Sequence, residues 1–364
     1  VEKKINNKGY DNRIVFLDYL RIFAFITVLV GHKYHDSLVA YVHNAEAHGT
    51  ARFLLDLMYP LIQGGGAGVV IFFLVSGYII THVLQAENTI DFIVKRIFRI
   101  YPLYIVAVLV EYLLAYIYQP SVNTANLWIQ LSLMGDFFSA PHALKGVEWT
   151  LRIEILFYFY MAVLNSFGLF KKHEKLLPYV FVITIGLCSY LAPIPSGNVW
   201  SKGYLTIYGP FLLLGSVFYL LQKKVFGLTL FFVFVAIIFY HYFSLIEVYQ
   251  KHWRNAHFAF LAFLLFLICW KVRNFFTLTP WVVVLSDLTY AVYLFHNWLF
   301  QYLQQWLTNL PLKGLGLNIS IIGSLLVICY IFVRLVEKPG IKLGRLVLKS
   351  LQNRPSKMAV NSAE

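Results

Sequence analysis

The chain has 364 residues, 59% of them hydrophobic and only 13% charged, with a mean hydropathy of +0.68. Soluble globular chains carry about 25% charged and about 45–50% apolar residues, so this composition excludes a disordered segment, a coiled coil and a disulfide scaffold and points to a polytopic membrane protein. The 30 Lys and Arg against 17 Asp and Glu fall mostly in short segments between apolar runs. There they orient membrane helices, which explains them better than a nucleic-acid partner does.

A helix needs about 17–25 residues to cross the hydrocarbon core. Ten runs qualify: 14–32, 66–84, 97–118, 149–170, 176–192, 204–221, 225–243, 256–271, 281–303 and 315–336. The expected fold is an all-α membrane bundle of about ten helices. The basic start VEKKINNKGYDNR, with Asp18 and Arg21 in the run after it, is unlike a cleavable signal; that run is expected to be retained. Segments 53–62 and 125–138 are too short or too polar to span and read as interfacial or re-entrant pieces. Residues 1–345 form the membrane domain, and 346–364 a polar, solvated or disordered cytoplasmic tail.

Alternating the ten runs with the N-terminus inside leaves about twenty Lys and Arg in inner segments and about seven in outer ones. The inner set includes Lys3, Lys4, Lys8, Lys95, Arg96, Arg99, Arg354 and Lys357; the outer set includes Lys33, Lys145, Lys251 and Arg254. Such an asymmetry supports both termini on the cytoplasmic side. Cys188, Cys269 and Cys329 sit in or at the end of apolar runs without metal-ligand spacing, and no metal is expected.

An ionisable residue inside a span is costly, and so a functional candidate. The first run holds Asp18, Arg21 and His32. Eleven residues separate Arg21 from His32, close to three full turns, so the two share a face about 16 Å apart along the axis. Asp18, three residues before Arg21, can pair with it. The glycine-rich GGGAG at 64–68 lacks the Lys and Ser/Thr of a phosphate loop and suits close helix packing instead. Arg96 and Arg99 open the third run three residues apart; they are either topological anchors or a phosphate clamp, to which the guanidinium fork is suited. The fourth run opens EWTLRIE. Trp149 is an interfacial anchor or a substrate contact. Arg152 and Glu154 point to different sides, and Glu154 lies at about the depth of His32, where a carboxylate can orient an imidazole. Tyr293 and His296 close SDLTYAVYLFH in the ninth run, either binding substrate or sitting at the interface.

Taken together, FLDYLRIFAFITVLVGH, FFLVSGYIIT, KRIFRIYPLY, EWTLRIEILFY, LTYAVYLFH and VEKP at 336–339 resemble the acyltransferase-3 family of integral membrane acyltransferases, which modify cell-surface glycans. The resemblance covers nearly the whole chain. It implies transfer of an acyl group, usually acetyl, from cytoplasmic acetyl-coenzyme A to a sugar hydroxyl outside the membrane. The acceptor would be an O-antigen or exopolysaccharide unit, lipid-linked or not, at the bacterial inner membrane. It also implies a catalytic Arg21–His32 pair, coenzyme A phosphates held by Arg96 and Arg99, and an active-site helix carrying Trp149 and Glu154. His32 would serve as general base or as a transient acyl carrier. Arg21 would stabilise oxyanion charge or only hold the polar stripe with Asp18. Two departures stand out: Thr289 occupies a place often taken by Ser, and His35 follows His32 closely, so the ten-residue spacing selects His32. A transporter or glycan exporter is the alternative that intramembrane charges also suit, although no inverted repeat is visible.

Overall fold

The structure is a computed structural model that describes residues 13–43, 49–118, 125–197, 201–250 and 256–352. Lys3, Lys4, Lys8, Lys251, Arg254, Arg354 and Lys357, counted above in the charge asymmetry, lie outside the described residues. The described residues are helical, with short 3₁₀ turns and no strand. In chain order the helices are α1 (Val15–Lys33), α2 (His35–His43), α3 (Gly49–Ile62), α4 (Gly66–Leu84), α5 (Thr89–Tyr118), α6 (Leu127–Leu131), α7 (Trp149–Ser166) and α8 (Leu177–Tyr190). They continue with α9 (Tyr204–Gln222), α10 (Leu228–Tyr249), α11 (Phe258–Lys271), α12 (Pro280–Phe295), α13 (Trp298–Leu307), α14 (Gly314–Phe332) and α15 (Lys338–Gln352).

Each of the ten apolar runs is helical, and six helical stretches are long and apolar enough to cross a membrane. The other four runs are α7, which carries Arg152 and Glu154, and α8, α11 and α12, which are only 14 to 16 residues long. The chain is an integral membrane protein. Its outward surface agrees: Leu113, Ile117, Phe159, Ile183, Ile319 and Val327 are all exposed, as expected where lipid is the solvent.

Three boundaries differ from the apolar runs. The third run begins at Thr89, well before 97, because a helix continues through polar residues when the backbone is satisfied. The ninth run breaks at His296 and Asn297 into α12 and α13. The tenth continues through a π turn, Val333–Glu337, into α15, so residues 346–352 of the expected tail are helix, and the rest of it, 353–364, lies outside the described residues. Gly340 and Gly344 of α15 lie against Pro102 and Phe98 of α5. That contact seats an amphipathic helix whose mean polarity hides it from a search for apolar spans.

Helices α4 and α9 form the buried centre. A Cβ on Gly77 would sit 1.8 Å from the Leu212 carbonyl oxygen, and one on Gly215 would sit 2.1 Å from that of Leu74; only hydrogen fits at either position. By contrast, α14 buries only Ile321, Leu325 and Cys329, a single stripe at every fourth residue. Between α3 and α4 the chain turns on Gly64 and Gly65, at φ of 56° and 72°, a left-handed conformation that favours glycine. Gly31 of α1 packs into this turn, where a Cβ would meet the Ile62 carbonyl oxygen at 2.2 Å. The glycine-rich segment therefore does serve close packing, and it fixes the position of the next residue, His32.

Candidate active site

Five of the motif stretches converge on one cavity. Its walls include Arg21 of α1, Phe72 and Ser76 of α4, Arg96 and Arg99 of α5, Glu154 and Tyr158 of α7, and Thr289, Tyr290 and Tyr293 of α12. The sixth stretch acts from behind: Glu337, buried in the π turn, forms an ion pair with Arg99. A π turn adds a residue to the helix and re-aims the side chains around it; here it carries the carboxylate that positions an arginine. Arg96 lies over the Phe92 ring, 5.6 Å from its centroid, and its buried Nε has no protein partner among the described residues. Arg21 lies 3.6 Å from Asp18, which is buried and accepts a 2.5 Å hydrogen bond from Ser286. Glu154 accepts hydrogen bonds from Ser76 (2.6 Å) and Tyr158 (2.5 Å). Three guanidinium groups therefore face one chamber whose lining holds a single carboxylate. Such a site suits a polyanion and would repel a second cation.

His32 is not in that cavity. It lines a second one with Val28, Lys145, Trp149, Tyr204, Tyr208 and Asn297, and only Val69 and Tyr293 border both. The Tyr293 hydroxyl is fixed there, accepting from Thr150 at 2.7 Å and donating to the Val147 carbonyl at 3.3 Å. Trp149 is buried against Tyr204, at 4.3 Å between centroids, and Tyr208. His296, also buried, brings its Nε2 to 2.9 Å from His32 Nδ1, while its own Nδ1 lies 2.7 Å from the Tyr293 carbonyl oxygen. A carbonyl only accepts, so His296 Nδ1 carries the proton. With both rings neutral, His296 Nε2 is then the acceptor and His32 Nδ1 the donor. His32 also has the Gly64 backbone as a hydrogen-bond partner; in the state in which its Nδ1 carries the proton, Nε2 keeps the lone pair.

The structure thus brings Arg21, Arg96, Arg99 and Glu154 together, and separately His32, Trp149, Tyr293 and His296. The expected contact of Glu154 with His32 is absent: the carboxylate is held by Ser76 and Tyr158 on the other side of Tyr293. The group that orients His32 is instead His296. His35 belongs to α2 and stands over Tyr59, outside both cavities. Arg152 pairs with Asp136 and donates to the Leu133 carbonyl at 2.6 Å, so it braces the segment before α7. In that segment His142 meets Glu148 at 3.3 Å and Asp136 at 3.6 Å. The Glu148 hydrogen bond raises the imidazole above its ordinary pKa against the opposing effect of burial, and the charges of Glu148 and Asp136 add to the rise.

A family model described as an acyltransferase domain matches residues 14–334. The chain belongs to the acyltransferase-3 family. The match begins just before α1 and ends within the π turn, three residues before Glu337, so it encloses both cavities. Among curated relatives of this acyltransferase-3 chain, Nodulation protein 10 of Rhizobium leguminosarum bv. viciae is 28% identical over 182 residues, covering 44% of this chain and 45% of that protein. Peptidoglycan O-acetyltransferase OatA of Listeria monocytogenes is 30% identical over 156 residues, covering 36% of this chain and 25% of that protein. The chain thus spans less than half the length of the curated relatives it matches. No solved structure matches.

Several site residues escape reading by type and spacing. Tyr158 lies one helical turn from Glu154 and was within reach of periodicity. Ser76 and Glu337 sit inside quoted motifs, but their partners are 78 and 238 residues away. Lys145 and Asn297 carry no local signal; the Asn297 amide donates to the Lys145 carbonyl and its oxygen accepts from Lys33.

Proposed function

We propose that this chain is a membrane O-acyltransferase. In this account it moves an acetyl group from acetyl-coenzyme A on the cytoplasmic side to a sugar hydroxyl of a surface polysaccharide, such as O-antigen or exopolysaccharide, at the bacterial inner membrane. Ten spans with both termini cytoplasmic and a membrane domain over 1–345 complete it. Family membership and the name of the peptidoglycan O-acetyltransferase relative support transfer to a glycan. The observation that carries it is the pair of adjoining cavities, one rich in arginine and one holding an oriented histidine.

The first cavity fits a donor bearing phosphates. Arg96 offers an unpartnered buried Nε, Arg99 is pre-aimed by Glu337, and Arg21 adds a third charge. Arg21 is roughly 16 Å along α1 from His32, and this separation favours a role for it in holding the donor over one in stabilising an oxyanion at the histidine. Glu154, fixed by two hydroxyls, keeps the chamber from carrying uncompensated charge on every wall. The long, flexible donor arm would pass Tyr293 to reach His32.

There His32 Nε2 takes the proton of the acceptor hydroxyl as its oxygen attacks the thioester carbonyl. The C–O bond forms, the C–S bond breaks, and the imidazolium returns the proton to the departing thiolate. His296 acts as a positioning residue by fixing the tautomer of His32. Trp149, with Tyr204 and Tyr208, packs the wall of that cavity and keeps water from the thioester.

Cells producing wild type, His32→Ala or neither test this. Base-labile acyl groups on surface glycans are counted by mass spectrometry at matched membrane levels of the protein. Acylation is expected with wild type alone; equal acylation with His32→Ala overturns the assignment of the base. A stable acyl adduct on His32 would replace the base with an acyl relay.

A further inference from the structure

A third recess is not used by the chemistry above. It lies between α5, α13 and the segments flanking α6, and its lining differs from that of both cavities. No arginine lines it. The Glu111 carboxylate at its edge accepts a 2.6 Å hydrogen bond from the Leu144 backbone amide, so it serves the turn at 144–146, where three successive residues take positive φ. Gln301 and Gln305 of α13 also line the recess, one helical turn apart and exposed. Their side-chain amides have no protein hydrogen bond among the described residues. Beside them the Tyr302 ring stands 5.5 Å from that of Tyr118 and 6.1 Å from that of Trp306, and the Trp306 indole donates to the Tyr118 hydroxyl at 2.5 Å. Lys145 lines both this recess and the His32 cavity.

The recess also stands at the right end of the molecule. Arg99 and Glu111 are twelve residues apart on α5, about 18 Å, which parallels the separation of Arg21 and His32 on α1. The recess therefore adjoins the histidine and lies away from the arginines.

We propose that this recess seats the acceptor, specifically a neutral pyranose unit of a glycan. Planar amides carrying both donor and acceptor match the neighbouring hydroxyls of a sugar. An aromatic shelf matches the C–H face of its ring. The recess has no guanidinium group, and its basic residues Lys145 and His142 stand near the Glu111, Glu148 and Asp136 carboxylates, which disfavours phosphate or polyanionic chains, while the open amides disfavour a lipid tail. The seated sugar directs one hydroxyl past Lys145 to His32 Nε2. This assignment rests on the proposed function for its chemistry, although the binding itself can be measured without any transfer.

The test uses the full chain in nanodiscs, with tryptophan fluorescence as the readout. The probes are chitotetraose, maltotetraose, mannotetraose and, as the anionic control, a heparin tetrasaccharide. At least one neutral probe is expected to bind better than the heparin fragment. Gln301→Ala with Gln305→Ala is expected to weaken that binding at least tenfold, as is Tyr302→Ala, while Tyr302→Phe keeps it. Thermal unfolding of each variant shows that the fold is retained. If no neutral probe binds, if heparin binds best, or if the variants bind as wild type does, the recess is not an acceptor site. Acetyl-coenzyme A binding, measured on the same samples, separates the two proposals: its absence alongside intact sugar binding defeats the transferase mechanism and leaves the recess standing.

Discussion

The two adjoining cavities are built on opposite principles. In the arginine cavity the charged groups come from α1, α5 and α7, and two of the three cations pair with carboxylates outside the lining, Arg21 with Asp18 one turn away on its own helix and Arg99 with Glu337 far along the chain. In the histidine cavity, Lys145 apart, the groups are rings, hydroxyls and an amide, held by backbone carbonyls and by a glycine turn against which Gly31 packs. The first arrangement binds charge; the second aims a lone pair. A buried ion pair can be placed by packing two helices side by side, whereas a tautomer is set by individual hydrogen bonds.

The largest effect that separates the two cavities is on transfer. His32→Ala removes the proposed base and is expected to lower acyl transfer by about 10²–10⁴-fold, read from labelled acyl appearing on the glycan. Next comes donor binding. Arg96→Ala with Arg99→Ala removes at least two charge-assisted hydrogen bonds, each about 1.5–3 kcal/mol, and is expected to weaken acetyl-coenzyme A binding roughly a hundredfold or more by calorimetry. Unchanged affinity would return both residues to topological anchoring. Third is the helix crossing that supports both cavities. Gly77→Ala forces α4 from α9 and is expected to destabilise by about 1–3 kcal/mol or more, seen as a lower unfolding temperature in detergent; an unshifted transition would mean the approach is looser than described.

The smallest effect is pH-dependent. His142 has a folded pKa raised above its ordinary value, first by the Glu148 hydrogen bond and then by the charges of Glu148 and Asp136. Its contribution to stability is fully present below about pH 6.5 and is lost as pH rises through the folded value. Wild type should therefore exceed His142→Gln in thermal stability at pH 6 by more than at pH 8.5. An equal gap at both values would show that the histidine acts only through packing.

Much of the arginine cavity was legible in the sequence, because intramembrane charge is conspicuous: Arg21, Arg96, Arg99 and Glu154 stand out by type, and the structure gathers them in one cavity. The apolar runs likewise marked where helices form, while the start of α5 did not show; α15 carries an amphipathic period that a search for uniformly apolar spans passes over. Around His32 the limits were sharper. His296 was visible as a candidate, yet its role depends on a 2.9 Å contact across 264 residues, and no spacing rule reaches that far. Glu154 was the natural partner by depth alone; what removes it is the Tyr293 wall, a consequence of packing. The recess with Gln301, Gln305 and Tyr302 left no mark, because neutral polar residues on an amphipathic helix look the same whether they face a ligand or water.

The proposed separation of donor binding from base chemistry is tested most directly by measuring acetyl-coenzyme A affinity and acyl transfer on one nanodisc preparation of His32→Ala. Wild-type affinity with transfer abolished is the expected result. Transfer at the wild-type rate, or loss of donor binding in step with loss of transfer, would contradict the division of the site into two cavities with separate tasks.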